Sequence, residues 1–176
     1  MSILKVARMG HPVLRQRGRP LEKADLKSPR IQKLIDDMID TMREYSGVGL
    51  AAPQVHEGLR LFVGLLHDED PDERSGASVI VNPEIVPNAN TRADGWEGCL
   101  SIPDIRGLVP RFTDITVRAL DREGRPIELR LKDFPARVAQ HETDHLDGVL
   151  FFDRMTSLQS LTYLEEYLRY HADESD

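Results

Sequence analysis

The segment His141-Glu142-Thr143-Asp144-His145 constrains this 176-residue chain more than any other. Histidines four residues apart share one face of a helix, so both imidazoles can be aimed at a single ion. Glu142 then projects about 100° around from His141, beside such an ion rather than on it. The helix is punctuated at both ends: Pro135 suits a first turn, the pattern runs through Val138, His141 and His145, and Gly148 is a natural stop. Three fixed positions of this kind match by chance in roughly one chain of this length in a couple of hundred. The plainer alternative is a pair of core or surface histidines beside a helical acid.

Two ligands do not complete a catalytic metal site, which usually has three protein donors and one open position. Downstream of His145 the remaining histidine is His171, in a polar tail past the last apolar helical residue, and it is a poor donor. Upstream lies Glu97-Gly98-Cys99-Leu100-Ser101, where a thiolate beside glycine can approach an ion closely. A lone cysteine is more often a small buried apolar residue, so Cys99 gains weight only from this context. A third segment, Gly47-Val48-Gly49-Leu50-Ala51-Ala52-Pro53-Gln54, reads by itself as a turn; without a Gly-Lys-Ser/Thr ending it is not a phosphate-binding loop.

Together the three segments, in this order and at these separations, resemble the three motifs of the peptide deformylase family. The resemblance runs from about Ile3 to Met155 and includes Ser101-Ile-Pro103, Arg106, Val109-Pro110-Arg111 and Gln140. It implies that Cys99, His141 and His145 hold one divalent ion per chain, with Fe2+ the native one and Zn2+, Ni2+ or Co2+ also compatible. It implies that Glu142 is the general acid and base, and that Gln54 with the backbone amide of Leu100 binds the oxyanion. Val48, Gly49, Trp96, Glu97 and Val138 are implied to shape the methionine pocket, and Arg106 to contact the substrate backbone, while Arg111 can pair with Glu97. The implied activity is hydrolytic removal of the N-formyl group from the initiator methionine of nascent polypeptides, releasing formate. Formyl-Met nascent peptides are then the partners, with a transient ribosome contact. The tail departs from the best-known bacterial relatives: Tyr163 to Asp176 is acidic, where some relatives carry a basic, ribosome-touching helix.

Two other readings compete. A zinc-dependent peptidase shares the two histidines and the glutamate but leaves the Gly47–Gln54 and Glu97–Ser101 segments unexplained. A noncatalytic metal-binding or nascent-chain-binding module of the same fold would be marked by loss of Glu142 or Gln54, and both are present.

A chain this long fits one domain, taken as residues 1–176 with an acidic tail over about 171–176. A net charge of −7 with no Lys/Arg cluster argues against a DNA-binding surface. The start lacks the apolar core of a signal peptide, and no stretch approaches the roughly 20 apolar residues of a membrane span, so a cytoplasmic protein is expected. One cysteine excludes an internal disulfide. Ser28-Pro29 opens an amphipathic helix ending near Gly47, whose methionines read as core packing. Leu59 to Leu66 and Ser78 to Val86 read as strands, Asp114 to Leu120 and Ile127 to Leu131 as a hairpin, and His67 to Ser75 as a polar surface loop. A last amphipathic segment carries Leu158, Leu161, Leu164 and Leu168. The sum is an α+β domain, mostly antiparallel strands around a central metal-binding HExxH helix.

Overall fold

Apolar spacing decides where the first long helix lies and what it covers. In a computed structural model, which describes residues 2–66 and 76–172, a short turn of helix, α1 (Lys23–Leu26), precedes α2 (Pro29–Glu44). The Ser28 hydroxyl accepts from the Ile31 amide at 3.3 Å and Pro29 occupies the first helical position, which together start α2 where the sequence predicts. Ile31, Leu34, Ile35, Met38 and Met42 form its buried stripe, and the two methionines are fully enclosed as packing. Each such side chain contributes roughly 1.5–3 kcal/mol by leaving water.

The strands follow: β1 (Gly49–Ala51), β2 (Leu61–Gly64), β3 (Ser78–Pro87), β4 (Arg92–Cys99), β5 (Ile102–Phe112), β6 (Asp114–Leu120) and β7 (Pro126–Lys132). After them come α3 (Asp133–Leu146), the two-residue β8 (Thr162–Tyr163) and α4 (Leu164–Tyr170). One antiparallel sheet has the order β1-β2-β3-β6-β7 and a second, three-stranded, has the order β4-β5-β8. Alternation along β2 shows how the larger sheet is used. Leu61 and Val63 face α2, while Phe62 faces the other way, toward Ala136, Val138, Ala139 and Leu146 of α3. The sheet is thus covered by α2 on one face and α3 on the other, and α3 also touches β5 of the smaller sheet. A third apolar cluster, with Leu14, Cys99, Ile102, Val109, Leu150 and Phe151, includes the residues on both sides of the β4–β5 turn.

The mixed helical and antiparallel architecture agrees with the α+β expectation, and the β6–β7 hairpin lies where predicted. Two features differ. The β4–β5 hairpin, containing the longest strand of the chain, reads poorly from sequence because glycines and prolines interrupt its alternation. The leucines at 158, 161, 164 and 168 do not lie on one helix: Leu158–Ser160 is a 3-10 turn, Thr162 and Tyr163 pair with Arg106 and Ile105, and the helix begins only at Leu164. Strand pairing wins there because Leu158 and Leu168 have no core to enter and remain exposed. His67 to Ser75 and the end of the acidic tail lie outside the described residues. Among the described residues no helix is long and apolar enough to cross a membrane.

Candidate metal centre and active site

Helix α3 carries His141 and His145 on one face, and the ring centroids stand 4.9 Å apart. Cys99 ends β4, immediately before the turn at Leu100 and Ser101 that leads into β5. The β4–β5 register shifts between Glu97 and Cys99, and such a bulge re-aims side chains at a strand end. Here Cys99 Sγ lies 3.2 Å from His145 Nε2, and one donor atom from each of Cys99, His141 and His145 falls within 4.8 Å of the others. One soft sulfur and two imidazole nitrogens, converging and buried, fit a divalent ion with an open fourth position. His171 is not in this group; its ring packs against Trp96.

Burial alone would keep Cys99 a thiol, but the charges and hydrogen bonds of His145 and His141 pull its pKa well below the ordinary value. Burial likewise opposes charge on His141, yet hydrogen bonds to Cys99 and Glu97 raise it well above the usual imidazole range. The thiolate and the Glu97 carboxylate thus draw positive charge to this point, and a cation bound there would displace the imidazole proton.

Glu97 explains the orientation of His141. Its Oε2 lies 2.8 Å from His141 Nδ1 and accepts from Arg111 Nη2 at 3.0 Å, while Oε1 accepts from Arg111 Nε and Arg137 Nη1, both at 2.9 Å. Burial pushes the Glu97 carboxyl up, but His141 and Arg111 hold it far below the usual carboxylate range. Glu97 lines the cleft, as the resemblance implies for a pocket residue, but its carboxylate is spent on this network and aims the metal-site imidazole. Arg111 continues the network to Asp144 at 2.5 Å, and Asp144 accepts from Arg154 Nη2 at 2.6 Å. The Arg111–Glu97 pair was legible in the sequence. Arg137, Asp144 and Arg154 were not, although Asp144 stands inside the HExxH segment, three residues after His141.

Arg111 is buried between two carboxylates. Truncation takes two hydrogen bonds from Glu97 and one from Asp144, and removal of one member of a buried pair typically costs about 3–5 kcal/mol. Arg111→Ala is expected to lose stability of that order in chemical denaturation and to retain metal poorly. Unchanged unfolding midpoint and metal content would mean that the network is ornamental.

Glu142 points into the same cleft. Its Oε2 is buried without a hydrogen-bond partner among the described residues, and burial, only partly offset by His141 and His145, pushes its carboxyl up to about 7. Gly49 lies directly against this carboxylate, and a Cβ there would collide with it, so glycine is required for close approach. Gln54 Oε1 accepts from the Ala51 amide at 2.8 Å, which turns Nε2 toward Cys99 Sγ at 3.4 Å and Ser101 Oγ at 3.3 Å.

The cleft has a volume of about 490 Å³. Of the site residues proposed from the sequence, all but the buried His145 line it: Val48, Gly49, Gln54, Trp96, Glu97, Cys99, Leu100, Arg106, Val138, His141 and Glu142. Val48 is exposed at its lip and Val138 is buried in its wall. Trp96 is half-buried at the rim, with the Tyr167 ring edge-on at 5.1 Å. The Arg106 guanidinium lies over Gly98, beside Cys99.

Comparisons with known proteins match this geometry. The family model for polypeptide deformylase matches residues 3–161. A protein named peptide deformylase 2 from Nostoc sp. is 43% identical over 171 residues, covering 94% of this chain and 93% of its own length. One of the same name from Pseudomonas putida is 43% identical over 166 residues, 93% of each chain. The solved class I type b peptide deformylase from Acinetobacter baumannii with Met-Ala-Ser bound is 39% identical. It superposes with a TM-score of 0.79, covering 88% of this chain and 99% of that one. With the motifs brought together in one cleft and likeness across nearly all of both sequences, the chain belongs to the polypeptide deformylase family.

Proposed function

We propose that this chain hydrolyses the formamide of formyl-Met nascent polypeptides in the cytoplasm, releasing formate, and that residues 1–176 act as one catalytic domain built around α3. The observation that carries the reading is the convergence of Cys99, His141 and His145 beside an unpartnered Glu142 carboxylate in a cleft that also holds an oriented Gln54 amide. One divalent ion bound by the three donors, Fe2+ by family likeness with Zn2+, Ni2+ or Co2+ as substitutes, supplies Lewis acidity and makes hydroxide available near neutral pH. Glu142, with a pKa near neutrality, is suited to take the proton of the attacking water and deliver it to the departing amine. Gln54 Nε2 and the Leu100 amide are the donors for the charge that develops on the carbonyl oxygen. Val48, Gly49, Trp96 and Val138 flank the methionine side chain, and Arg106 meets the peptide backbone beyond it. The relative holding Met-Ala-Ser supports a peptide of this kind as the ligand.

Likeness to the family implies a pocket that accepts hydrogen but not methyl on the acyl carbon. Formyl-Met peptides are therefore expected to turn over much faster than acetyl-Met peptides. A formate- and acetate-release assay on protein purified without air, with its metal content measured, tests this; comparable rates on both substrates would sink the reading. Gln54→Ala should lower kcat by about 10² to 10³ with little change in KM, as loss of one prearranged oxyanion donor does. A change confined to KM would make Gln54 a ground-state contact instead.

A further inference from the structure

The cleft does not end at Arg106. Asp104 and Leu164 line its outer side and also line a second depression of about 500 Å³, completed by Tyr163, Glu165, Glu166 and Leu168. Two devices hold this wall in place. Thr162 and Tyr163 pair with Arg106 and Ile105, so α4 starts beside the edge of β5 at the mouth of the cleft. Farther along, Trp96 of β4 meets the rings of Tyr167 and His171, both with centroids at 5.1 Å. Leu164 and Leu168 are one helical turn apart and share a face, and Tyr163 and Leu168 remain more than half exposed. Apolar side chains left in water at the margin of a catalytic cleft are area that a longer ligand can cover.

The charged residues that line the depression, Asp104, Glu165 and Glu166, are all acidic. Glu166 pairs with Arg169 at 3.4 Å, whereas Asp104 and Glu165 have no ion pair among the described residues. Continuity decides the occupant: the depression shares Asp104 and Leu164 with the cleft, so a chain anchored there by its formylated end is delivered onto α4 by its own length. Resting on the deformylase reading, we propose that this depression binds the segment of the substrate downstream of its first three residues, favouring apolar and basic side chains.

The test compares kcat/KM for formyl-Met-Ala-Ser and formyl-Met-Ala-Ser-Lys-Leu-Lys. The unmodified enzyme is expected to prefer the hexapeptide by about tenfold, the factor given by covering one or two apolar side chains in part, and the gain should lie in KM. Leu168→Ser, outside the catalytic cleft and at an exposed position, should leave the tripeptide rate unchanged and bring the ratio close to one. Glu165→Lys should reverse the preference between that hexapeptide and its counterpart with glutamates for lysines. A ratio near one in the unmodified enzyme, or a full ratio retained in Leu168→Ser, overturns the proposal. If the tripeptide itself is not deformylated, the underlying reading has failed and the depression loses its occupant with it.

Discussion

Glu142→Ala is expected to fold, to bind its metal at full stoichiometry and to lose turnover by about 10² to 10⁴, the range that a positioned proton-transfer group contributes. The donor atoms that converge belong to Cys99, His141 and His145, so removing the Glu142 side chain takes nothing from that set. It also removes a buried carboxylate oxygen that has no partner among the described residues. An unsatisfied buried polar group costs about 1–3 kcal/mol, so the variant should be as stable as the parent or more so. Loss of activity with a gain in stability marks a group kept for chemistry and not for folding. The measurements are metal analysis, denaturant midpoint and formate release on one preparation. A folded variant that loses its metal would make Glu142 a ligand, and near-parental turnover would remove it from the mechanism.

Cys99→Ala should lose both metal and activity, because the chain has no second thiol to replace the donor. The parent protein offers a finer test. A metal-held thiol is deprotonated with its lone pairs engaged, so alkylation of the loaded protein should be slow. After chelation the same sulfur lies at the wall of an open cleft, with His145 and His141 favouring the thiolate. Labelling should then accelerate and stop at one adduct per chain, and the labelled protein should fail to regain metal or activity when the ion is returned. Circular dichroism must show that the stripped protein remains folded. A cysteine that merely packs in the core predicts equally slow labelling in both states. That result, or full metal content in Cys99→Ala, would leave His141 and His145 in need of another third donor.

What could be read from the sequence depended on whether the signal was local. The two histidines and the glutamate lie within one and a half turns of helix, so helical geometry alone places them, and Ser28-Pro29 announces α2 in the same way. Cys99 and Gln54 are brought to that helix by tertiary contacts that no spacing contains, and they were recognised through the family resemblance. The β4–β5 hairpin was illegible for a related reason. Gly95 and Gly98 interrupt β4 because the guanidiniums of Arg137 and Arg106 lie where their Cβ atoms would be. The residues that let long cations reach the site are the ones that break the strand pattern. The Asp144–Arg154 and Arg137–Glu97 pairs also escaped notice, since a charged residue in a sequence carries no mark that it will be buried. The leucines of the last segment misled in the opposite direction, because apolar spacing promises a buried face and among the described residues little covers Leu158 and Leu168.

The placement of α3 bears on how the enzyme fails under stress. Its Ala136, Ala139 and Leu146 are part of the cluster beneath the five-stranded sheet, while the same helix carries the metal-site histidines. Opening the site means prising α3 from that cluster, which amounts to unfolding the molecule, so the amides around His141 belong with the slowest-exchanging protons of the chain. The short α4, held mainly by ring contacts and a two-residue strand, belongs to the opposite class and can fray without disturbing the donors. Heat should therefore erase metal retention in the same cooperative step that erases the fold, whereas the grip on a long nascent chain can slacken many degrees earlier.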